Sequence, residues 1–343
     1  MKENSDNSTT VTIEEEDDLW YLSNLISAGD LVRTTVMRRV ERKQDMNRSK
    51  ETERKPVSVT IRCESISFQD FSRNLRLLGT IVNGPEDDVG DHQSISLTVG
   101  DIFDLISKQW TDEERKLLNE AGNSGIRGKL IFITLDDESA GIFLSRSYGN
   151  QKLANIESEK SGKMYESNYS ENSYFKKIAD VLSTYSNRRY GLIILGEGFT
   201  PEKLEKYLRE NVTGFTSIET YSTTRSDEAS IYELLSGGNA SQALKELRLS
   251  KDSRIVENFL SHLRRDNLAT YGFSQVKNAL ELGAVGLLIV TEEEFRKDEV
   301  KSLINMARNF HTGVHIISTS AEPGKTIKSF GGLCAILRYR LQE

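Results

Sequence analysis

Reactive side chains are scarce in this chain. Its 343 residues include two cysteines and four histidines, too few for a disulfide framework or a large His/Cys metal cluster. Cys63 and Cys334 lie 271 positions apart, each in an apolar run. They read as buried, reduced thiols, which fits a cytosolic protein. His311 and His315 are four apart, but Gly313 stands between them and the β-like run "VHIIS" follows. They do not share a helical face, and no HExxH pattern occurs. No run of about 18 apolar residues exists to cross a membrane as a helix. The polar, acidic start "MKENSDNSTTVTIEEEDD" has the character of neither a secretory signal nor an Arg-rich transit peptide. A cytoplasmic location is expected. An intact phosphate-binding loop is also missing. "EPGKT" (Glu322–Thr326) resembles the tail of one, but Thr319 stands where the motif needs a glycine. Any nucleotide hydrolysis must therefore come from a partner.

What is present falls into three stretches, in keeping with two or three domains at roughly 100–200 residues each. Residues 1–125 read as a short helix plus strands. In "DDLWYLSNLISAGD" acids open a helix, Leu19, Leu22, Leu25 and Ile26 recur at helical spacing, and Gly29 stops it. "DLVRTTVMRRV" and "PVSVTIRC" alternate, through Val32, Thr34 and Val36 and through Val57, Val59, Ile61 and Cys63. "LRLLGTIV" and "SISLTVGD" add strands. A small β-barrel with a helix across it is the simplest packing. Residues 126–247 change to α/β grammar. "GKLIFITLDDESAGIFLS" is two apolar runs around a turn, and "NSYFKKIADVLSTY" puts Phe175, Ile178, Ala179 and Leu182 on one helical face. "YGLIILGEGFTPEKLEKYLREN" is a buried strand, a glycine turn and a helix capped by Thr200 with Pro201 behind it. That turn has the geometry to hold an anion, but Glu197 between its glycines opposes a phosphate. Residues 248–343 are α/β again. "SRIVENFLSHLRRD", "SQVKNALELGA" and "KDEVKSLINMARNF" read as helices, and "VGLLIV", "GVHIIS" and "LCAILRYRL" as strands. The cores of the last two stretches read as separate.

One segment fits none of this. "MRRVERKQDMNRSKETERK", Met37–Lys55, carries Arg38, Arg39, Arg42, Lys43, Arg48, Lys50, Arg54 and Lys55 against four acids, in a chain of net charge −7. It lacks the apolar residues to bury a core. Between its flanking strands it reads as a hairpin loop of about 15 residues, a length that is uncommon unless functional or disordered. Residues 1–125 hold 16 Lys and Arg against 24 Asp and Glu, so this basic segment sits on an acidic body. It is either a solvated loop or an arm that reaches phosphates.

The order of motifs carries a resemblance over residues 10 to 340. "DDLWYLSNLISAGDLV" and "GPEDD" are followed by "ILGEGFTPEKL", and the chain closes on "YGFSQVKNALELGAVGLLIV" and "GGLCAILRY". This pattern resembles the Pelota family, the ribosome-rescue relatives of class-1 peptide release factors. The resemblance implies a multidomain α+β chain. An Sm-like β-barrel domain would carry the basic loop 37–55, a central α/β domain would be ribonuclease H-like, and a C-terminal α/β domain would resemble kink-turn-binding ribosomal proteins. It also implies a monomer that enters the empty A site of a stalled ribosome with a translational GTPase. Subunit dissociation with a recycling ATPase and decay of the stalled mRNA would follow, without any cofactor of its own. The eight basic residues of the loop would then contact rRNA or mRNA. One departure stands out. The turn reads "GEGF" where family members usually have Gly-Pro-Gly-Phe. The Gly-Gly-Gln of release factors occurs nowhere, which the resemblance to Pelota leads one to expect, so no peptide release is expected; the nearest string, "SGGN" (Ser236–Asn239), reads as a helix end with Gly237 as its cap.

The alternative is an endoribonuclease that cleaves stalled mRNA through the N-terminal domain, an activity the family has been credited with. It would need clustered carboxylates around Mg²⁺ or Mn²⁺. The candidates are Asp17 and Asp18 in "EEEDD", and Asp87 and Asp88 in "PEDD". The first cluster also fits a helix N-terminus, the second a polar turn. A free RNA-binding protein is a third class, opposed by the acidic balance.

Overall fold

The computed structural model describes residues 2–3, 8–40, 53–69, 74–85, 88–106, 110–124, 129–159, 170–186, 190–236, 244, 247–265 and 267–341. The chain divides into two compact units, Met1–Asn123 and Ser124–Glu343.

The first unit is an antiparallel sheet folded around a helix. Its strands are β1 (Lys2–Glu3), β2 (Ser8–Thr12), β3 (Leu31–Val40), β4 (Glu53–Gln69), β5 (Asn74–Asn83), β6 (His92–Leu97) and β7 (Ile102–Ile106), in the order β1-β2-β7-β3-β4-β5-β6. The alternation read from the sequence decides which face is buried. Val32, Ile61, Cys63, Leu77, Leu97 and Phe103, from five different strands, meet in one core with Leu19 and Leu22 of helix α1 (Glu16–Leu25). One core shared by strands across the sheet means that the sheet curls, as a small Sm-like β domain requires. A second helix, α2 (Asp112–Ser124), closes the unit. The Thr111 N–H donates to Glu114 Oε2 at 2.8 Å and the Glu114 N–H donates to Thr111 Oγ1 at 3.3 Å. This reciprocal pair satisfies two first-turn donors.

The second unit holds two sheets. In the first, β8 (Leu130–Leu135), β9 (Ser139–Arg146) and β10 (Gly149–Glu157) form an antiparallel meander. Then β11 (Gly191–Gly196) and β12 (Ile218–Ser222) add in parallel, giving the order β10-β9-β8-β11-β12. This is the ribonuclease H-like arrangement. Helices α3 (Glu171–Ser183) and α4 (Thr200–Asn211) cover one face, burying Phe175, Ile178, Leu182, Leu204 and Leu208. The N-cap of α4 is Phe199 rather than Thr200, which is already the first helical residue. Its φ and ψ of −106° and −1° suit the end of the glycine turn. Helix α5 (Ala229–Ser236) covers the opposite face. The expected cap Gly237 lies outside the described residues.

The second sheet runs β13-β16-β14-β15, from β13 (Ala269–Tyr271), β14 (Val285–Thr291), β15 (Gly313–Ile317) and β16 (Leu333–Leu337). Helix α6 (Arg248–Arg265) packs Val256 and Phe259 against Ile289, Ile317 and Cys334. Helices α7 (Phe273–Glu281), α8 (Glu292–Phe295), α9 (Asp298–Asn309) and α10 (Glu322–Ser329) complete the layer. "EPGKT" is therefore the start of a helix, with Ala321 as its N-cap. Burial pushes the Cys63 thiol up to about 11 and the Cys334 thiol up to about 12, so both stay protonated at neutral pH.

The two sheets of this unit have distinct core clusters, joined by one helix. Leu249 from the first turn of α6, and Ala321, are buried in the cluster formed by Phe132, Leu195, Ile231 and Leu235 of the preceding sheet and α5. The Ser250 hydroxyl donates to the Leu235 carbonyl at 3.3 Å, fully buried. The cores are thus separate clusters, but helix α6 contributes to both.

Candidate nucleic-acid interface

The register of β3 against β4 locates the basic segment. Leu31 to Arg33 also pair with β7, and β4 pairs with β5 only from Thr60 onward. Between these limits Thr34–Val40 and Glu53–Val59 pair only with each other. They form a two-stranded ribbon that leaves the sheet for seven rungs, roughly 24 Å at about 3.4 Å per residue. Arg38 is registered opposite Lys55 and Arg39 opposite Arg54. Like charges at paired positions disfavour a ladder. Met37 faces Pro56 in the ladder and is 62% exposed. Proline fits here because β4 has a neighbour on one side only.

The expected 15-residue loop is thus shorter. Arg38, Arg39, Arg54 and Lys55 belong to paired strands. Arg42, Lys43, Arg48 and Lys50 lie outside the described residues. The root of the ribbon packs on the core through Val59 and Val36, but Met37 and Pro56 farther out are exposed, so no burial pattern marks those rungs. Sequence reasoning also missed the anchor at its root. Arg33, the last β3 residue paired with β7, donates from Nε to Asp104 Oδ2 at 2.9 Å, and its Nη2 lies 2.9 Å from the same oxygen. The Thr10 hydroxyl donates to the other Asp104 oxygen at 2.6 Å. These contacts join β2, β3 and β7 where the ribbon departs.

The carboxylate candidates are placed differently. Asp18 accepts the Glu14 N–H at 2.9 Å and the Glu15 N–H at 3.0 Å, and Asp17 is buried in the same first turn. Burial raises the Asp18 carboxyl above its ordinary value, although both backbone N–H groups pull it down. The pair caps α1. Asp88 sits in a tight turn, its N–H donating to the Pro85 carbonyl at 2.9 Å, and Asp87 lies outside the described residues. Among the described residues no group of three or more His, Cys, Asp or Glu is arranged to hold a metal ion. His315 is instead 2.6 Å from the buried Asp252, tying β15 to α6, and His311 stands in the turn after α9 with φ 53°. No helix among the described residues is long and apolar enough to cross a membrane.

Comparison with known proteins gives these features a context. The Pelota N-terminal domain family matches residues 1–122, and eRF1 domain 3 matches residues 249–341. A pelota homolog of Thermoplasma acidophilum is 40% identical over 343 residues, covering 100% of this chain and 99% of that protein. The chain belongs to the Pelota family. A second homolog, from Picrophilus torridus, is 40% identical over 337 residues, covering 98% and 97% of the two chains. The crystal structure of the Thermoplasma acidophilum Pelota protein superposes with a TM-score of 0.83 at 30% identity, covering 99% of both chains.

Gly331–Tyr339, one of the two closing motifs of the resemblance, is structural. Gly332 has φ 75°, and a Cβ there would lie 2.7 Å from Glu294 Cγ and 2.8 Å from Thr291 Oγ1, so only glycine fits. Leu333 to Leu337 are buried as β16. Arg338 Nη2 donates to the carbonyls of Phe310 and His311, at 2.9 and 3.0 Å. The Tyr339 hydroxyl donates to the Leu282 carbonyl at 2.6 Å. The two side chains thus satisfy carbonyls left over where α9 and α7 end. In the Pelota-family turn after β11, Phe199 is 82% exposed, with Gly198 at φ 70° before it.

Proposed function

We propose that this Pelota-family chain is a ribosome-rescue factor. It recognises stalled ribosomes with an empty A site and promotes subunit dissociation and no-go decay of the stalled mRNA. It acts in the cytoplasm as a monomer, together with a translational GTPase and a ribosome-recycling ATPase, and needs no cofactor of its own. The basic ribbon on an acidic domain carries the reading. A protein of net charge −7 has no general attraction to RNA, but a projecting cationic arm confines phosphate contacts to one place and orientation. The residues assigned to those contacts, with rRNA or mRNA at the decoding site, are Arg38, Arg39, Arg42, Lys43, Arg48, Lys50, Arg54 and Lys55. Because the chain contains no Gly-Gly-Gln, rescue proceeds without peptide hydrolysis.

The test is co-sedimentation of the purified protein with ribosomes whose A site is empty or filled by tRNA, with and without a GTP-bound partner GTPase. Binding should require the empty site and rise with the partner. Equal binding to filled and empty ribosomes would overturn the assignment.

A further inference from the structure

The chain contains one Asn-Gly step, Asn83–Gly84, and the fold leaves it chemically open. Asn83 ends β5 and is exposed, and Gly84 opens the bend that follows. Among the described residues, neither the Asn83 side-chain amide nor the Gly84 N–H takes part in a hydrogen bond. An unbonded backbone N–H beside an unbonded asparagine amide is the pair that ring closure needs. Glycine removes the side chain that would hinder the approach.

We propose that Asn83 is a site of spontaneous deamidation. The Gly84 nitrogen attacks Asn83 Cγ and gives up its proton. The new C–N bond replaces the bond to the side-chain amide, which departs as ammonia and leaves a succinimide. Water then opens the ring on either side, giving aspartate or isoaspartate. Nothing is oxidised or reduced. The site has a bearing on the ribbon. Gly84 lies against its root, where a Cβ would be 3.4 Å from Val59 Cγ1 and 3.8 Å from the Ser58 carbonyl oxygen. Either product adds a negative charge beside the cationic arm, and isoaspartate also lengthens the backbone there. Ageing at Asn83 therefore weakens phosphate binding, a consequence that rests on the RNA-contact reading; the modification itself does not.

The test holds the folded full-length protein in mildly alkaline buffer and maps its peptides by mass. The peptide bearing Asn83 should convert from amide to acid ahead of every other asparagine, split between aspartate and isoaspartate. Gly84→Ala should abolish conversion over the same interval. It should also melt like the parent, since Gly84 has no left-handed φ and the added methyl meets only ordinary contacts. An Asn83 that stays intact in the folded protein while converting in urea would overturn the proposal, as would conversion of Gly84→Ala at the parent rate. Aged and fresh protein are then compared on immobilised poly(U). Weaker retention of the aged form supports the link to the ribbon, and unchanged retention overturns that link while leaving the mass result in force.

Discussion

The ribbon of β3 and β4 and the closing stretch Gly331–Tyr339 are opposites. In the closing stretch nearly every residue packs or caps. It has a glycine no other residue can replace, five buried strand positions, and two side chains that end two helices. The ribbon packs on the core only near its root, through Val36 and Val59, and basic residues stand in register farther out. The contrast says where to look for function in a family of this kind. The closing stretch is used up by the fold. The stretch with the least structural reason to be basic is the one proposed to contact RNA.

Four experiments put this contrast at risk. The largest stability loss should come from the closing stretch: Leu333→Ala removes a side chain 1% exposed and should cost about 2–5 kcal/mol in urea unfolding. A loss below about 1 kcal/mol would show that β16 is not packed as tightly as its burial implies. In the ribbon, replacing Arg38, Arg39, Arg42 and Lys43 by Ala should leave stability within about 0.5 kcal/mol. Ribosome binding should weaken, and its log–log salt slope should fall by roughly 0.7–0.9 per lost phosphate contact. Unchanged affinity and slope would remove the ribbon from the mechanism. Arg338→Ala should cost about 1 kcal/mol, the net value of a typical capping hydrogen bond, with ribosome binding kept. Loss of binding without loss of stability would make Arg338 a contact residue and blur the contrast.

The smallest effect concerns Asp18. Burial raises its folded pKa above the ordinary value of 3.8. The stability this carboxyl contributes is therefore fully present below the unfolded pKa and lost as pH rises through the folded one. Asp18→Asn removes that dependence, so the variant should gain on the parent between acidic and neutral pH, read as a difference in urea midpoints. The same preparation tests the endoribonuclease alternative. Any RNA cutting in Mg²⁺ should be equal in parent and variant and should fall with further purification. Cutting that co-purifies with the parent and disappears in Asp18→Asn would favour an enzyme.

Much of this was legible wherever burial wrote itself into the spacing of residues. Val59, Ile61 and Cys63 alternate because one face of β4 is in the core, and Phe175, Ile178 and Leu182 recur because α3 buries one stripe. Helix α2 escaped because it buries little apolar surface, Leu117 being its buried apolar side chain among the described residues. The Thr111–Glu114 capping pair was the available signal. The five-residue strands β2 and β7 were too short to show alternation. At the candidate site the charge and the two flanking strands were legible, but the pairing of Arg38 with Lys55 and of Arg39 with Arg54 was not, since pairing between two backbones leaves little mark on side-chain pattern. The Arg33–Asp104 contact joins residues 71 positions apart, a separation that no local pattern encodes.

Helix α6 also acts as a mechanical link. Its 18 residues span roughly 27 Å at about 1.5 Å per residue. Leu249 is set in one core and Phe259 in the next. Such a rod is stiff along its axis, so a load on the β13–β16 sheet is delivered to the β8–β12 sheet without slack. Severing the chain at residue 247 would pull Leu249 and Ala321 out of a core they fill, leaving a hole where a clean edge was expected.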